Sequence, residues 1–162
     1  MIGEDPKMAE DYVVKLSHIY RYILQHIDKK YITLADGTDF IKSYIGLFNM
    51  RYDNAIVLHA DDLHGDRNEC ILSLSLQLII ENAVKHNSIT GGNPLHIRIR
   101  TEGESFLIEN NYTPRSDGDK ESLGMGLERI RSVYRFYTEE NISISVGDGT
   151  FRCRLPLLPP EK

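Results

Sequence analysis

The sequence predicts an α+β domain, a two-layer α/β sandwich with helices on one face of a mixed, mostly antiparallel sheet and an extra N-terminal helix. In four segments, apolar residues recur at three- and four-residue steps, which is the period of an amphipathic helix. These segments are residues 7–28, 36–52, 72–87 and 123–137. Further segments are rich in β-branched residues or alternate between apolar and polar, as strands do. These are residues 55–59, 95–100, 105–110, 141–146 and 150–155.

Composition limits the classes of function. The 162 residues are 41% hydrophobic and 27% charged, which is typical of one globular domain with a sizeable core. The net charge of -5 does not favour a nucleic-acid partner. No apolar run approaches the roughly 20 residues that span a bilayer, and the N-terminus lacks signal-peptide features, so we expect a soluble, cytoplasmic chain. Cys70 and Cys153 have no metal-site spacing and are expected to be buried thiols.

The N-terminal third is predicted to be mainly helical. A first helix can begin at Pro6, and its wide apolar stripe needs a partner, either the body of the domain or a second copy. Residues 31–33 form a short strand-like piece, after which Asp36 or Thr38 can cap a second helix. A turn at residues 53–54 leads into the first strand, and residues 61–69 are a polar loop.

The central helix carries an unusual polar cluster. Asn82, Lys85 and His86 lie three and four residues apart and share one face, with Glu81 at its edge. An acid, an amide oxygen and an ammonium group could hold hydrated Mg²⁺ and phosphate oxygens. The simpler interpretation is a polar helix end that faces water.

Downstream of this helix, breakers at residues 91–94 precede an alternating strand, which a hairpin turn at residues 102–104 joins to its partner strand. Residues 111–122 have no hydrophobic period and are predicted to be a mobile loop. Gly124 and Gly126 then open a helix, where glycines let backbone N–H groups approach an anion. Turn geometry alone explains most such glycine pairs. A final hairpin turns at residues 147–149.

Taken in this order, the motifs resemble the ATP-binding domain of the GHKL superfamily, and most closely the LytS-type sensor histidine kinases. The matching residues are Leu76-Gln77-x-x-x-Glu81-Asn82-Ala83-x-Lys85-His86, Gly124-Met125-Gly126-Leu127 with Arg129, and Gly149-Thr150. Upstream, Leu16-Ser17-x-x-x-Arg21-Tyr22 and Tyr44…Arg51-Tyr52 look like the helices that lead into this domain. The resemblance covers nearly the whole chain and implies the Bergerat-type ATP-binding fold.

The resemblance also implies roles for individual residues. Asn82 would coordinate Mg²⁺, Glu81 would assist metal or water placement, and Lys85 would reach the phosphates of ATP. The other implied nucleotide contacts are His86, Asn110, Gly124, Gly126, Leu127 and Thr150. Gly124 and Gly126 would cradle phosphates beneath the predicted loop, and Thr150 would close the adenine end of the site.

Two departures from the family pattern bear on function. The family's Asp of an Asp-Asn-x-Gly motif, which binds the adenine amino group, is replaced by Asn110 in Asn110-Asn111-Tyr112. No histidine lies in a Pro-His-Phe-type segment, so the phosphoaccepting histidine is expected outside this chain. The chain then resembles a fragment of a longer receptor. Residues 1–30 would end the dimerisation and acceptor helices, residues 31–158 would form the catalytic domain, and residues 159–162 a tail.

The implied function is transfer of the γ-phosphoryl group of Mg-ATP to a histidine on the receptor's own acceptor helix. The expected partners are ATP, that helix, a response regulator and a second receptor copy in a homodimer, without nucleic acid. The expected location is the cytoplasmic side of a membrane-bound bacterial receptor. Two alternatives stay open: a degenerate nucleotide-binding or scaffolding module without turnover, and an ATPase with Glu81 as base.

Overall fold

The computed structural model describes residues 6–26, 29–63, 69–114, 127–128, 130–136, 138–139 and 141–159. Its helices are α1 (Pro6–His26), α2 (Leu34–Asn49) and α3 (Ser73–His86). Residues 127–128 and 130–136 are also helical. Its strands are β1 (Tyr31–Thr33), β2 (Ile56–Asp62), β3 (Cys70–Leu72), β4 (Leu95–Glu102), β5 (Ser105–Asn111), β6 (Ser143–Gly147) and β7 (Thr150–Pro156).

Five strands form the main sheet in the order β2-β4-β5-β7-β6. β2 runs parallel to β4, and the other neighbouring pairs are antiparallel. A second, two-stranded sheet pairs β1 with β3. The predicted α+β class, the mostly antiparallel sheet and the N-terminal helix are therefore confirmed.

The core lies between one face of the main sheet and the helices. Alternation within the strands sends Ile97 and Ile99 of β4 and Cys153 of β7 into this core, where they meet Ile80 of α3 and Ile130. As predicted, the thiols of Cys70 and Cys153 are free and buried. Burial raises the pKa of the Cys153 thiol to about 12, so it stays protonated at neutral pH. None of the described helices has the length and apolar content needed to cross a bilayer.

The structure confirms the predicted turns. Asp53 and Asn54 adopt positive φ angles of 49° and 59°, which these two residue types tolerate better than most. Gly103 in the β4–β5 turn has φ 58°, and Gly149 in the β6–β7 turn has φ 68°.

Other predicted boundaries were wrong. Thr33 caps α2, because its hydroxyl accepts a hydrogen bond from the Asp36 backbone N–H at 3.1 Å, whereas the Thr38 hydroxyl donates back to the Leu34 carbonyl. Strand β3 was not predicted, since its three apolar residues continue the helical pattern of α3. Strand β2 extends beyond residue 59 to Asp62. Most of the predicted loop and both glycines of Gly124-x-Gly126 lie outside the described residues.

Helix α2 approaches α3 closely at Gly37. A Cβ atom added there would lie 2.8 Å from Leu76 Cδ1 and 3.4 Å from both Ile32 Cδ1 and Ile71 Cδ1. Gly37→Ala is therefore expected to lower the free energy of unfolding by about 1–3 kcal/mol, a typical cost of overpacking a core. Urea denaturation measures this change.

Gly46 provides a matched control on the same helix. A Cβ atom added at Gly46 meets nothing within 4 Å, so Gly46→Ala should raise the free energy of unfolding by about 0.5–1 kcal/mol through helix propensity. Equal effects of the two substitutions would contradict the close approach of α2 to α3 at Gly37.

Candidate functional site

A small recess lies between the second half of α3 and the ends of β5 and β7. Its lining residues are Asn82, Ala83, His86, Asn87, Asn110, Tyr112 and Phe151. Three of these residues come from α3 and the fourth, Asn87, is its C-cap. The pairs Asn82/His86 and Ala83/Asn87 are each four positions apart, so both point to the same side of the helix. The structure therefore brings together three residues predicted from sequence to bind nucleotide: Asn82, His86 and Asn110.

Asn110 points into the recess because of its register in the sheet. It pairs with Ile97 of β4 and Phe151 of β7, and its side chain lies on the helix-covered face, where it is 3% exposed. The Asn110 amide nitrogen donates to the Asn111 carbonyl at 2.7 Å. Its Oδ1 is buried and has no hydrogen-bond partner among the described residues. Asn110 thus offers one unused acceptor inside the recess.

Asn87 joins the end of α3 to the chain that leaves β5. Its amide nitrogen donates to the Ala83 carbonyl at 2.7 Å, and its Oδ1 accepts from the Thr113 backbone N–H at 2.6 Å. The Ser88 N–H also donates to the Thr113 carbonyl at 2.8 Å. Sequence reasoning missed this residue, although its position four residues after Ala83 places it on the same helix face.

Thr150 is not brought into the recess. It pairs with Asn111, and its side chain lies on the opposite face of the sheet, in a broad concavity of about 520 Å³ shared with His96 and Arg152. Phe151 lines the recess instead. The alternation of Phe151, Cys153 and Leu155 carries this information, because adjacent residues of a strand point to opposite faces.

Glu81 and Lys85 do not line the recess either. Lys85 is exposed on α3. The Glu81 carboxylate faces α2, where its Oε1 accepts hydrogen bonds from the Tyr44 hydroxyl at 2.5 Å and the Gln77 amide at 2.8 Å. Leu127 is buried in the core at the start of the described part of the last helix.

The recess contains groups suited to a nucleotide base and a divalent cation. The unused Asn110 Oδ1 can accept from an amino group, and the Phe151 ring offers an apolar surface beside it. The Tyr112 hydroxyl is also buried without a partner among the described residues. Such unpaired buried polar atoms are uncommon in folded proteins, and a ligand is one explanation of them. The amide oxygen of Asn82 is a ligand type that Mg²⁺ accepts.

Comparisons with known proteins identify the family of this chain. The family model described as Histidine kinase matches residues 1–56. An uncharacterized sensor-like histidine kinase of Staphylococcus epidermidis is 33% identical over 98% of this chain. The sensor protein kinase HptS of Staphylococcus aureus is 32% identical over 67% of it. The aligned regions span 34% and 21% of these two relatives, so the chain matches about a third of their length or less.

Two solved structures show the same fold at low sequence identity. The cytoplasmic segment of histidine kinase QseC aligns with a TM-score of 0.51 and 13% identity over 94% of this chain and 95% of that one. The catalytic domain of histidine kinase ThkA aligns with a TM-score of 0.51 and 16% identity over 80% of this chain and 97% of that one. This chain belongs to the sensor histidine kinases, and its described residues have the fold of their ATP-binding catalytic domain.

Proposed function

We propose that this chain binds Mg-ATP in the recess between α3 and the ends of β5 and β7, as the catalytic domain of a LytS-type kinase. It would present the γ-phosphoryl group to a histidine outside the chain. The observation that carries this proposal is the buried Asn110 Oδ1, which has no partner among the described residues and lies in the recess with Asn82 and His86. An adenine amino group is a donor that this oxygen can accept.

The neighbouring α3 residues would serve the phosphate end of the nucleotide. Asn82 would supply an amide oxygen to Mg²⁺, Glu81 would orient a water of the metal shell, and the Lys85 ammonium would reach a phosphate. When bound, Mg²⁺ supplies neutralisation of the charge that develops on the phosphates. Gly124 and Gly126 stay predicted nucleotide contacts on the family resemblance alone. The same prediction for Leu127 and Thr150 has no support from the recess, which neither residue lines.

The reaction would be an in-line phosphoryl transfer. A nitrogen of the acceptor imidazole forms a bond to the γ-phosphorus while the bond to the bridging oxygen breaks, and ADP leaves with that electron pair. Such a step requires positioning and charge neutralisation more than covalent participation by the protein. This agrees with a recess built from amides and an imidazole.

Helix α1 supports the proposal that this domain is part of a longer receptor. Its Ile19 is buried, whereas Val13, Tyr20 and Leu24 are exposed on one helix face, seven and four residues apart. We assign this apolar face to a helix of the dimerisation region, in a homodimer that serves a response regulator. The domain would lie on the cytoplasmic side of a membrane-bound bacterial receptor, with residues 1–30, 31–158 and 159–162 divided as the sequence predicts.

Calorimetric titration tests the binding step. Mg-ATP and Mg-ADP should bind the chain with micromolar to submillimolar affinity, and ATP in excess EDTA should bind markedly more weakly. The proposal would be contradicted if neither Mg-ATP nor Mg-ADP gave a heat of binding and neither competed with another nucleotide for the chain.

Phosphoryl transfer to histidine distinguishes a kinase from the two alternatives, a degenerate binding module and an ATPase. With γ-labelled Mg-ATP, the longer receptor should become labelled on histidine, which a degenerate binding module would not do. ATP hydrolysis that exceeds that of a Glu81→Ala variant, without labelled histidine, would favour the ATPase.

A further inference from the structure

Tyr44 connects α2 to the helix that carries the candidate site. Its hydroxyl donates to Glu81 Oε1 at 2.5 Å, and the Gln77 amide, one helical turn before Glu81, donates to the same oxygen at 2.8 Å. Both described contacts of this carboxylate therefore use Oε1. Glu81 directly precedes Asn82, which lines the recess.

The position of the Tyr44 hydroxyl is fixed by aromatic packing. The Tyr44 ring stacks on Phe40 with centroids 5.1 Å apart and meets Phe48 edge-on at 4.9 Å. Phe40 in turn stacks on Tyr22 of α1 at 4.6 Å. Tyr44 itself is 9% exposed. A rigid ring that is held on both sides places its hydroxyl with little freedom, as a positioning group requires.

The hydroxyl also keeps its proton. Burial, and next the hydrogen bond to Glu81, raises the pKa of Tyr44 well above its usual value. Tyr44 therefore stays a hydrogen-bond donor across the physiological pH range.

We propose that Tyr44 and Gln77 are positioning residues, which hold the Glu81 carboxylate in one orientation so that it can place a water of the metal shell next to Asn82. This inference rests on the proposed Mg-ATP site. Tyr44, the first residue of the Tyr44…Arg51-Tyr52 segment, would then act on the candidate site as well as belong to a helix that leads into the domain. This role also explains why a carboxylate that does not line the recess lies next to a residue that does.

Tyr44→Phe tests the inference, because it removes the hydroxyl and keeps the ring that packs against Phe40 and Phe48. Affinity for Mg-ATP should fall about tenfold, the size expected for the loss of one hydrogen bond, while affinity for ATP in EDTA should not change. Glu81→Gln should have the same effect. The double variant should bind no more weakly than Glu81→Gln alone, because the two residues act as one unit.

Tyr31→Phe is the control, since it removes a half-buried tyrosine hydroxyl from β1. A purely structural role for Tyr44 would lower the free energy of unfolding and leave the Mg²⁺ dependence of nucleotide affinity as in the unaltered chain, and that result would overturn the inference. If Tyr44→Phe gives that result while Asn82→Ala loses Mg-ATP binding in the same experiment, the proposed function stands and only the role of Tyr44 is rejected. No nucleotide binding by the unaltered chain would overturn both.

Discussion

Replacing Asn82 by alanine is expected to lower the affinity for Mg-ATP by at least about tenfold. The amide oxygen of Asn82 is the metal ligand proposed for this site, and polar contacts to charged groups contribute about 1.5–3 kcal/mol, where 1.4 kcal/mol corresponds to tenfold. The half-buried side chain lies at the recess rather than in the core, so the fold should persist. Calorimetric titration with Mg-ATP and with ATP in EDTA measures the loss.

Asn141 offers a matched control for this substitution, because it is an exposed asparagine just before β6. Asn141→Ala should leave nucleotide affinity unchanged. Urea denaturation of both variants shows whether the fold is intact. An Asn82→Ala variant that binds Mg-ATP as tightly as the Asn141→Ala control would remove Asn82 from the site.

Asn110→Asp is expected to make the folded protein less stable, although the family that this chain resembles carries aspartate there. The Asn110 amide nitrogen donates to the Asn111 carbonyl at 2.7 Å, and a carboxylate oxygen in its place would face another acceptor. The position is buried, so the unsatisfied group should lower the free energy of unfolding by about 1–3 kcal/mol. Urea denaturation measures the change.

The loss of stability caused by Asn110→Asp should depend on pH in a definite direction. Burial raises the pKa of a carboxyl group, so the introduced group has a higher pKa in the folded chain than in the unfolded chain. Its destabilising effect is then small at low pH, where the protonated form can donate to the Asn111 carbonyl, and grows as the pH rises. Asn141→Asp serves as the exposed control. A loss of stability that is the same at pH 5 and pH 8 would contradict this account.

Part of the site was predictable because it depends on local periodicity. The helical period places Asn82 and His86 on one face, and the alternation of Phe106, Ile108 and Asn110 sends Asn110 toward the helices. The same rule, applied to β7, would have selected Phe151. The family motif led to Thr150, which lies on the other face of the sheet.

The remainder depends on contacts between distant parts of the chain. Thr33, Asp36 and Thr38 are all acceptable caps by local rules, and the pairing of β1 with β3 holds Thr33 extended and selects it. One hydrogen-bond partner of Glu81 is Tyr44, 37 residues earlier, and only the packing of α2 on α3 reveals this contact. Short apolar runs such as β3 cannot be assigned to strand or helix from periodicity alone.

The position of β7 in the sheet has a consequence for synthesis on the ribosome. β7 inserts between β5 and β6, so β5 pairs with residues about 45 positions later, from Ser105 with Pro156 to Asn111 with Thr150. Until residue 156 emerges from the exit tunnel, β5 is an unpaired sheet edge and a site for intermolecular association. Phe151 arrives with the same strand. The nascent chain therefore completes the lining of its recess and covers the edge of β5 in a single late step.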